Sequence, residues 1–339
     1  MAISQAVRTH AAWVTVNGQK FLLKSGSATQ TAAKKSSTFS GDLPMDLPGA
    51  LALFATLGEN STTISVMSGN GEVILLEGEI DNVQFGFIEG VINFSGRDKS
   101  AALHATKSSE KFINQKNSDV VKTLAQRAGL TADVDESKLN AGKMVQIDWT
   151  KLTDGISFAS IIHKIAEMEG CRWWVSKGTL HFKNSDSDAA AYPIVYVPGP
   201  TKSADFLKLV ISRNVQAGKT VNVKVSSWNT RKKQVFTATS TVTGVGGTTE
   251  YNYHVPGLTQ DHVLQHAKSK AFEHCKHEFH LTVDCAGDVN IDVSMKLRLR
   301  GTIYFDQDYD MENVVHHFGM GGHRMSITSK GPKKGRSAT

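Results

Sequence analysis

The chain has 339 residues, 40% hydrophobic and 21% charged, with a formal net charge of +6. That length exceeds one small core and predicts two or three domains of ordinary soluble composition. The longest apolar runs, residues 73–76 and 49–53, are too short to span a bilayer, and the opening MAISQAVRTH lacks the apolar core of a secretory signal; the expectation is a cytosolic product with no membrane segment.

The first hundred residues read as β. Residues 13–16 and 20–23 flank Asn17-Gly18, a hairpin signal. Residues 62–67 and 72–77 flank a Ser-Gly-Asn-Gly turn, and 79–85 and 89–95 flank Gly86. A short helix is expected over 47–54, with Pro48 in its first turn. Such strands predict a small antiparallel barrel or sandwich. Residues 104–183 change character. Val120, Val121, Leu124, Ala125 and Ala128 share one helical face, capped by Asn117 or Ser118 and stopped by Gly129. Phe158, Ile161, Ile162, Ile165 and Ala166 share another, stopped by Gly170, and a hairpin around Lys177-Gly178 follows. Residues 184–201 read as a connector. Strands return at 207–212, 220–226 and 234–241, then a glycine-rich loop at 242–249. A helix near 259–275 has Thr259 as its cap, and strands follow at 278–284, 290–292, 296–300, 303–305, 309–315 and 324–328. A weak echo links LLEGEID (75–81) to RLRGTIY (298–304), as a duplication would leave.

Candidate chemistry is sparse. Nine of the thirteen histidines lie between His254 and His323. His262 and His266 are four apart on the predicted helix, a spacing that can hold a metal, but no third ligand is placed and H-E-x-x-H is absent. No nucleophile elbow occurs. FDQDYD (305–310) lacks the glycine and distal glutamate of a calcium loop and reads as a solvated turn, and GVGG (244–247) has no following Gly-Lys-Ser/Thr. Trp228 followed by Arg231, Lys232 and Lys233 suggests a modest single-strand nucleic-acid face. Cys171, Cys275 and Cys285 match no C-x-x-C pair and read as idle thiols. The tail KGPKKGRSAT (330–339) reads as basic, solvated and flexible, with Lys333, Lys334 and Arg336 available to an acidic partner or to nucleic acid.

Four segments in order carry a resemblance: LLEGEIDNVQF with VINFSGRDKSAAL (91–103), NSDVVKTLAQRAGL, LTDGISFASIIHKIAEMEGCRWWVSKGTLHF and GTIYFDQDYDMENVVHHF. Together they resemble the baseplate hub proteins of contractile phage tails, the late-control-D-like and Mu-like hub family. The resemblance implies a mainly β fold: two related small antiparallel β-barrels (tube domains) and a peripheral α/β module, forming a ring on trimerisation. The implied divisions are residues 1–103, 104–190, 191–330 and the tail 331–339. It also implies a structural role without enzymatic activity or cofactor. The homotrimer would join a sixfold tail tube to a threefold central spike, among other baseplate proteins, with DNA only in transit through the channel. The place implied is the virion tail, after synthesis in the host cytoplasm. In this reading Gly96, Arg97 and Asp98 form a structural elbow. Gly96 permits the turn, Arg97 can pair with a carboxylate or brace a loop carbonyl, and Asp98 can cap the short helix over 99–104. The alternatives are a His-rich metal-dependent hydrolase at His262 and His266, or a single-stranded nucleic-acid-binding barrel at Trp228.

Overall fold

The computed structural model describes residues 11–32, 35–68, 71–110, 112, 115–137, 155–184, 189–198, 203–229 and 233–336. Arg231 and Lys232, parts of the expected connector, and the end of the basic tail lie outside the described residues.

Alternating burial builds the first part. β1 (Ala11–Val16) turns through Asn17 and Gly18, both at positive φ, into β2 (Gln19–Leu22). β3 (Ser25–Thr31), β4 (Thr38–Pro44), α1 (Ala50–Ala55), β5 (Thr62–Ser68), β6 (Gly71–Gly86) and β7 (Val91–Asp98) follow. Helix α1 begins after Gly49, so Pro48 precedes it and is not in its first turn. Gly78 does not break the strand as the sequence reading has it. β6 runs 16 residues through it, with a bulge between Ile80 and Asn82. A Cβ on Gly78 would lie 1.9 Å from the Arg97 carbonyl oxygen, so only glycine lets β6 and β7 meet there.

The middle section has α2 (Ala101–Ala105), β8 (Lys107–Ser108), α3 (Asn117–Arg127), β9 (Thr131–Val134), β10 (Ile156–Ser157), α4 (Phe158–Glu169), β11 (Cys171–Ser176) and β12 (Thr179–Asn184). The apolar faces expected of α3 and α4 are buried except Ala128, which is half-buried at the position after α3, and Gly170 ends α4 at φ 73. The cap of α3 differs from expectation. Lys116 occupies that position, while Asn117 is buried and donates to Glu169 at 2.5 Å. Inside the expected connector lies β13 (Ala191–Val197), which pairs in parallel with β20 (Lys296–Arg300) and antiparallel with β14 (Ser203–Ala204).

The last part contains β15 (Lys208–Arg213), β16 (Thr220–Asn229), β17 (Gln234–Val242), β18 (Thr248–His254), α5 (Gln260–Lys276), β19 (Phe279–Ala286), β21 (Asp308–Phe318) and β22 (Arg324–Gly331). β18 takes up part of the expected glycine-rich loop and pairs in parallel with β16. Residues 290–292 and 303–305, expected as strands, are not strands: 290 lies in a turn, 291–292 are irregular and 303–305 bend.

Two separate barrels are not what the pairing makes. Fourteen strands form one sheet, and the described strands close no barrel. β21 joins the two parts. Along one edge it pairs with β22; along the other it pairs first with β20 at residues 308–310 and then with β3 at residues 313–318. The cores interlock in the same way, since Val289 and Phe318 pack among the apolar side chains of residues 12–94. The echo between 75–81 and 298–304 is local: β6 pairs with β5 and β7, whereas β20 pairs with β13 and β21.

At this joint His316 of β21 lies opposite Ala28 of β3 and is fully buried. Its Nδ1 is 3.0 Å from Nε2 of buried His323, and its Nε2 finds no partner among the described residues. Burial, with His317 adding to it, pushes His316 down to about 4. The His323 ring covers Gly287 so closely that a Cβ there would sit 2.1 Å from it.

Two outcomes are expected. Gly96→Ala would force a Cβ to 2.1 Å from the Glu79 carbonyl oxygen and 2.5 Å from the Phe39 ring. It should cost about 2–3 kcal/mol in urea denaturation, whereas Gly58→Ala, in open space, should stay within about 0.5 kcal/mol. For His316, a folded pKa below the unfolded value means that stability is complete above about pH 6.5 and lost as pH falls towards 4. Denaturation between pH 7.5 and 4.5 should show the wild type losing up to about 3 kcal/mol relative to His316→Leu. A constant difference would refute it.

Candidate functional site

The histidines do not converge. His262 and His266 sit one turn apart on α5, but His262 Nδ1 pairs with Thr259 Oγ1 at 2.6 Å, and His266 packs edge-on to Tyr253. Burial lowers both, His266 to about 4, and Lys270 helps on His266. His274 stacks on Tyr251 at 3.9 Å and meets the Tyr253 hydroxyl at 2.7 Å; His254 meets Ser226. Among the described residues no three His, Cys, Asp or Glu are placed to hold one metal ion. Trp228 is half exposed and faces Val235 across the β16–β17 pair. Cys275 and Cys285 are buried, Cys171 is half-buried, and burial raises all three thiols.

Gly96, Arg97 and Asp98 all lie within β7, ahead of the corner rather than in it. Gly96 is required by the close approach of Glu79 and Phe39, not by a turn. Arg97 makes two parallel bonds to Asp81, Nε–Oδ2 at 2.7 Å and Nη2–Oδ1 at 2.8 Å, spanning the bulge in β6. Asp98 is buried; burial pushes its carboxyl up to about 6 against hydrogen bonds from Ser100 and Ser37. Ser100, not Asp98, takes the position before α2, and Asp98 reaches that helix through the Ser100 hydroxyl. The three residues brace the exit from β7.

The basic tail is not a uniformly solvated end. Lys333 and Lys334 are exposed, but Arg336 folds back with only 6% of its side chain exposed. Its Nη1 pairs with Glu278 Oε2 at 2.7 Å, and its guanidinium also donates to the carbonyls of Thr243, Ala217 and Lys219. Arg213 Nη2 and the Lys333 N–H bind the same carboxylate at 3.0 and 3.1 Å. Burial pushes Glu278 up, and these three donors outweigh it, so the net shift is downward. No sequence signal links Arg336 with Glu278, which lies 58 positions earlier.

FDQDYD is likewise ordered by specific partners. Asp306 accepts from the N–H groups of Gly301 and Thr302 at 2.8 and 2.7 Å. Asp308 is held by both arms of Arg298, and Asp310 by Lys276 at 2.9 Å. The Asp306 bonds fix a loop in which Ile303 stands at φ 67, a left-handed conformation that costs a β-branched residue about 1–3 kcal/mol. Ile303 and Tyr304 on this loop are 77% and 88% exposed.

Register gives the sheet two distinct ends. Phe318 lies opposite Gly26, Gly26 opposite Gly41, and Gly41 opposite Phe94, so the 319–323 and 87–90 hairpin tips share one end. Met320, Phe87 and Ile88 are exposed there. Asp308 opposite Arg298 and Asp310 opposite Lys330 put the Ile303–Tyr304 loop at the other end. The outer edges of β2, β14 and β15 carry no further strand among the described residues.

Comparison with known proteins gives a family and a fold. A family model described as the Alg8 N-terminal domain matches residues 83–302, well over half of the chain. No curated protein matches. Among solved structures, a tail protein from Neisseria meningitidis MC58 aligns at a TM-score of 0.73 and 15% identity, over 95% of this chain and 96% of that one. The 43 kDa tail protein of prophage MuSo2 from Shewanella oneidensis aligns at 0.68 and 12%, over 94% and 98%. The E. coli protein c3393, a component of the type VI secretion system, aligns at 0.58 and 6%, over 95% and 77%. At these identities the likeness is one of fold.

Arg336→Ala should lower stability by about 3–5 kcal/mol in urea denaturation, because it strips the buried Glu278 of its best partner. Lys333→Ala and Lys334→Ala, at exposed positions, should each change it by less than about 0.5 kcal/mol. Equal small effects at all three positions would contradict the clamp.

Proposed function

The chain belongs to the family of the Alg8 N-terminal domain, and we propose that it is a structural component of a phage tail or of a related secretion device. Within that class its role is the baseplate hub: a homotrimeric ring joining a sixfold tail tube to a threefold central spike. The observation that carries this reading is a fold shared along almost the whole of both chains with the tail proteins of N. meningitidis and prophage MuSo2.

Physical features support it. Open edges at β2, β14 and β15 invite pairing with other chains, and a head-to-tail contact between unlike edges closes into a ring when the rotation permits. With one sheet made of two parts, three chains supply six parts, which matches a threefold to a sixfold partner. Exposed apolar tips at both ends of the sheet, Phe87, Ile88 and Met320 at one and Ile303 and Tyr304 at the other, suit partners stacked on either side. In this reading residues 1–103 and 191–330 are the two tube domains, 104–190 is the peripheral module and 331–339 is the tail. The protein works as a joint in the virion, after synthesis in the host cytoplasm, with no cofactor and no catalysis; DNA passes through its channel.

Native mass spectrometry tests this. The expected species is a trimer of about 110 kDa, three times the 36.8 kDa of one chain. A chain that stays monomeric even when co-expressed with its spike partner would refute the hub.

A further inference from the structure

A groove of about 410 Å³ runs between the end of α5, the β20–β21 turn and the C-terminal segment, lined among others by Lys296, Arg300, Asp306, Lys333 and Lys334. Its charges are unevenly matched. Asp308 is held by Arg298 and Arg300, Asp310 by Lys276, Lys330 by Glu312, and Arg336 by Glu278. Lys296, Lys333 and Lys334 make no ion pair among the described residues. Three ammonium groups thus belong to a groove in which cationic side chains outnumber the carboxylates Asp306, Asp308 and Asp310.

The wall carrying two of them is anchored. The Pro332 carbonyl accepts from Gln307 Nε2 at 2.7 Å, and Arg336 is locked by Glu278, so Lys333 and Lys334 sit on backbone fixed on both sides. At the rim stands the loop from Gly301 to Phe305. It is flanked by the groove residues Arg300 and Asp306, pinned by Asp306, and presents Ile303 and Tyr304 to solvent. A second cleft of about 440 Å³ shares Phe272, Lys276, Asp310 and Lys330 with the groove, so the two adjoin.

We propose that this groove docks an acidic, extended peptide segment of a partner protein, with Lys296, Lys333 and Lys334 taking its carboxylates and Tyr304 packing on a neighbouring apolar side chain. An exposed aromatic beside a preformed cationic groove has the make-up of a binding hot spot, because Tyr304 gains apolar burial when it is covered. A protein segment fits better than nucleic acid. Asp306, Asp308 and Asp310 also line the groove and would oppose an evenly charged phosphate backbone, whereas a peptide can space its carboxylates to meet the three lysines. The second cleft carries both signs, Glu167, Glu169, Glu273 and Glu312 beside Arg172, Lys268, Lys276 and Lys330, so the acidic part of the peptide ends beside the lysines of the groove. This inference does not depend on the hub reading.

The test is fluorescence anisotropy on the full chain, with a labelled peptide of four glutamates, one leucine and three neutral residues as the probe. The expected result is saturable micromolar binding that weakens with salt, by about tenfold in the Lys333→Ala/Lys334→Ala double variant and about threefold in Tyr304→Ala. All three positions are exposed, so the variants should keep the wild-type circular dichroism. Absence of saturable binding, or binding unmoved by the variants, would overturn the proposal. So would tighter binding of a single-stranded oligothymidine of equal charge, which would make the groove a nucleic-acid surface.

Discussion

The architecture depends on one strand serving three neighbours. β21 must lie against β22 along its length while giving its other edge first to β20 and then to β3. Backbone groups of a buried strand must be hydrogen-bonded, so the second half of β21 requires β3. That requirement merges what would be two sheets into one and carries Phe318 into the N-terminal core. It also puts the buried His316–His323 pair at the seam, where burial disfavours the charged form of His316.

Close approach is the second recurring device. Gly78, Gly96, Gly287 and Gly301 each stand where a Cβ would fall within about 2 Å of a backbone carbonyl oxygen or a histidine ring. At Gly78 and Gly96 such contacts fix register in a sheet this long, where a slip of one residue would turn every core side chain outward. The buried Glu278, held by Arg213, Arg336 and a backbone N–H, plays the corresponding part for the C-terminal segment. A pair of this kind adds little net stability, yet breaking it strands a charge, so it penalises any other placement of the chain end.

The charged groups of the β7 exit and of the 306–310 turn are occupied with architecture. Arg97 spans a bulge, Asp98 braces the exit from β7, and Asp306, Asp308 and Asp310 each answer to different donors. What remains for partners is the periphery: open strand edges, apolar hairpin tips at both ends of the sheet and an under-neutralised cationic groove. That division is the one expected of a protein that works by being joined to others.

By itself the sequence determined the local elements whose signals are local. α3, α4 and α5 follow from apolar residues at helical spacing, with Gly129 and Gly170 as stops; the Asn17-Gly18 and Lys177-Gly178 turns follow from residues that accept positive φ. The order of four segments also led to the fold shared with phage tail proteins. Only the tertiary structure decided that β3 meets β21, that β13 with its Pro193 is a strand in the sheet, that Gly78 joins rather than breaks β6, and that Arg336 is buried. Each of these rests on a partner distant in the chain, and propensity at one position carries no information about which distant backbone or charge will face it.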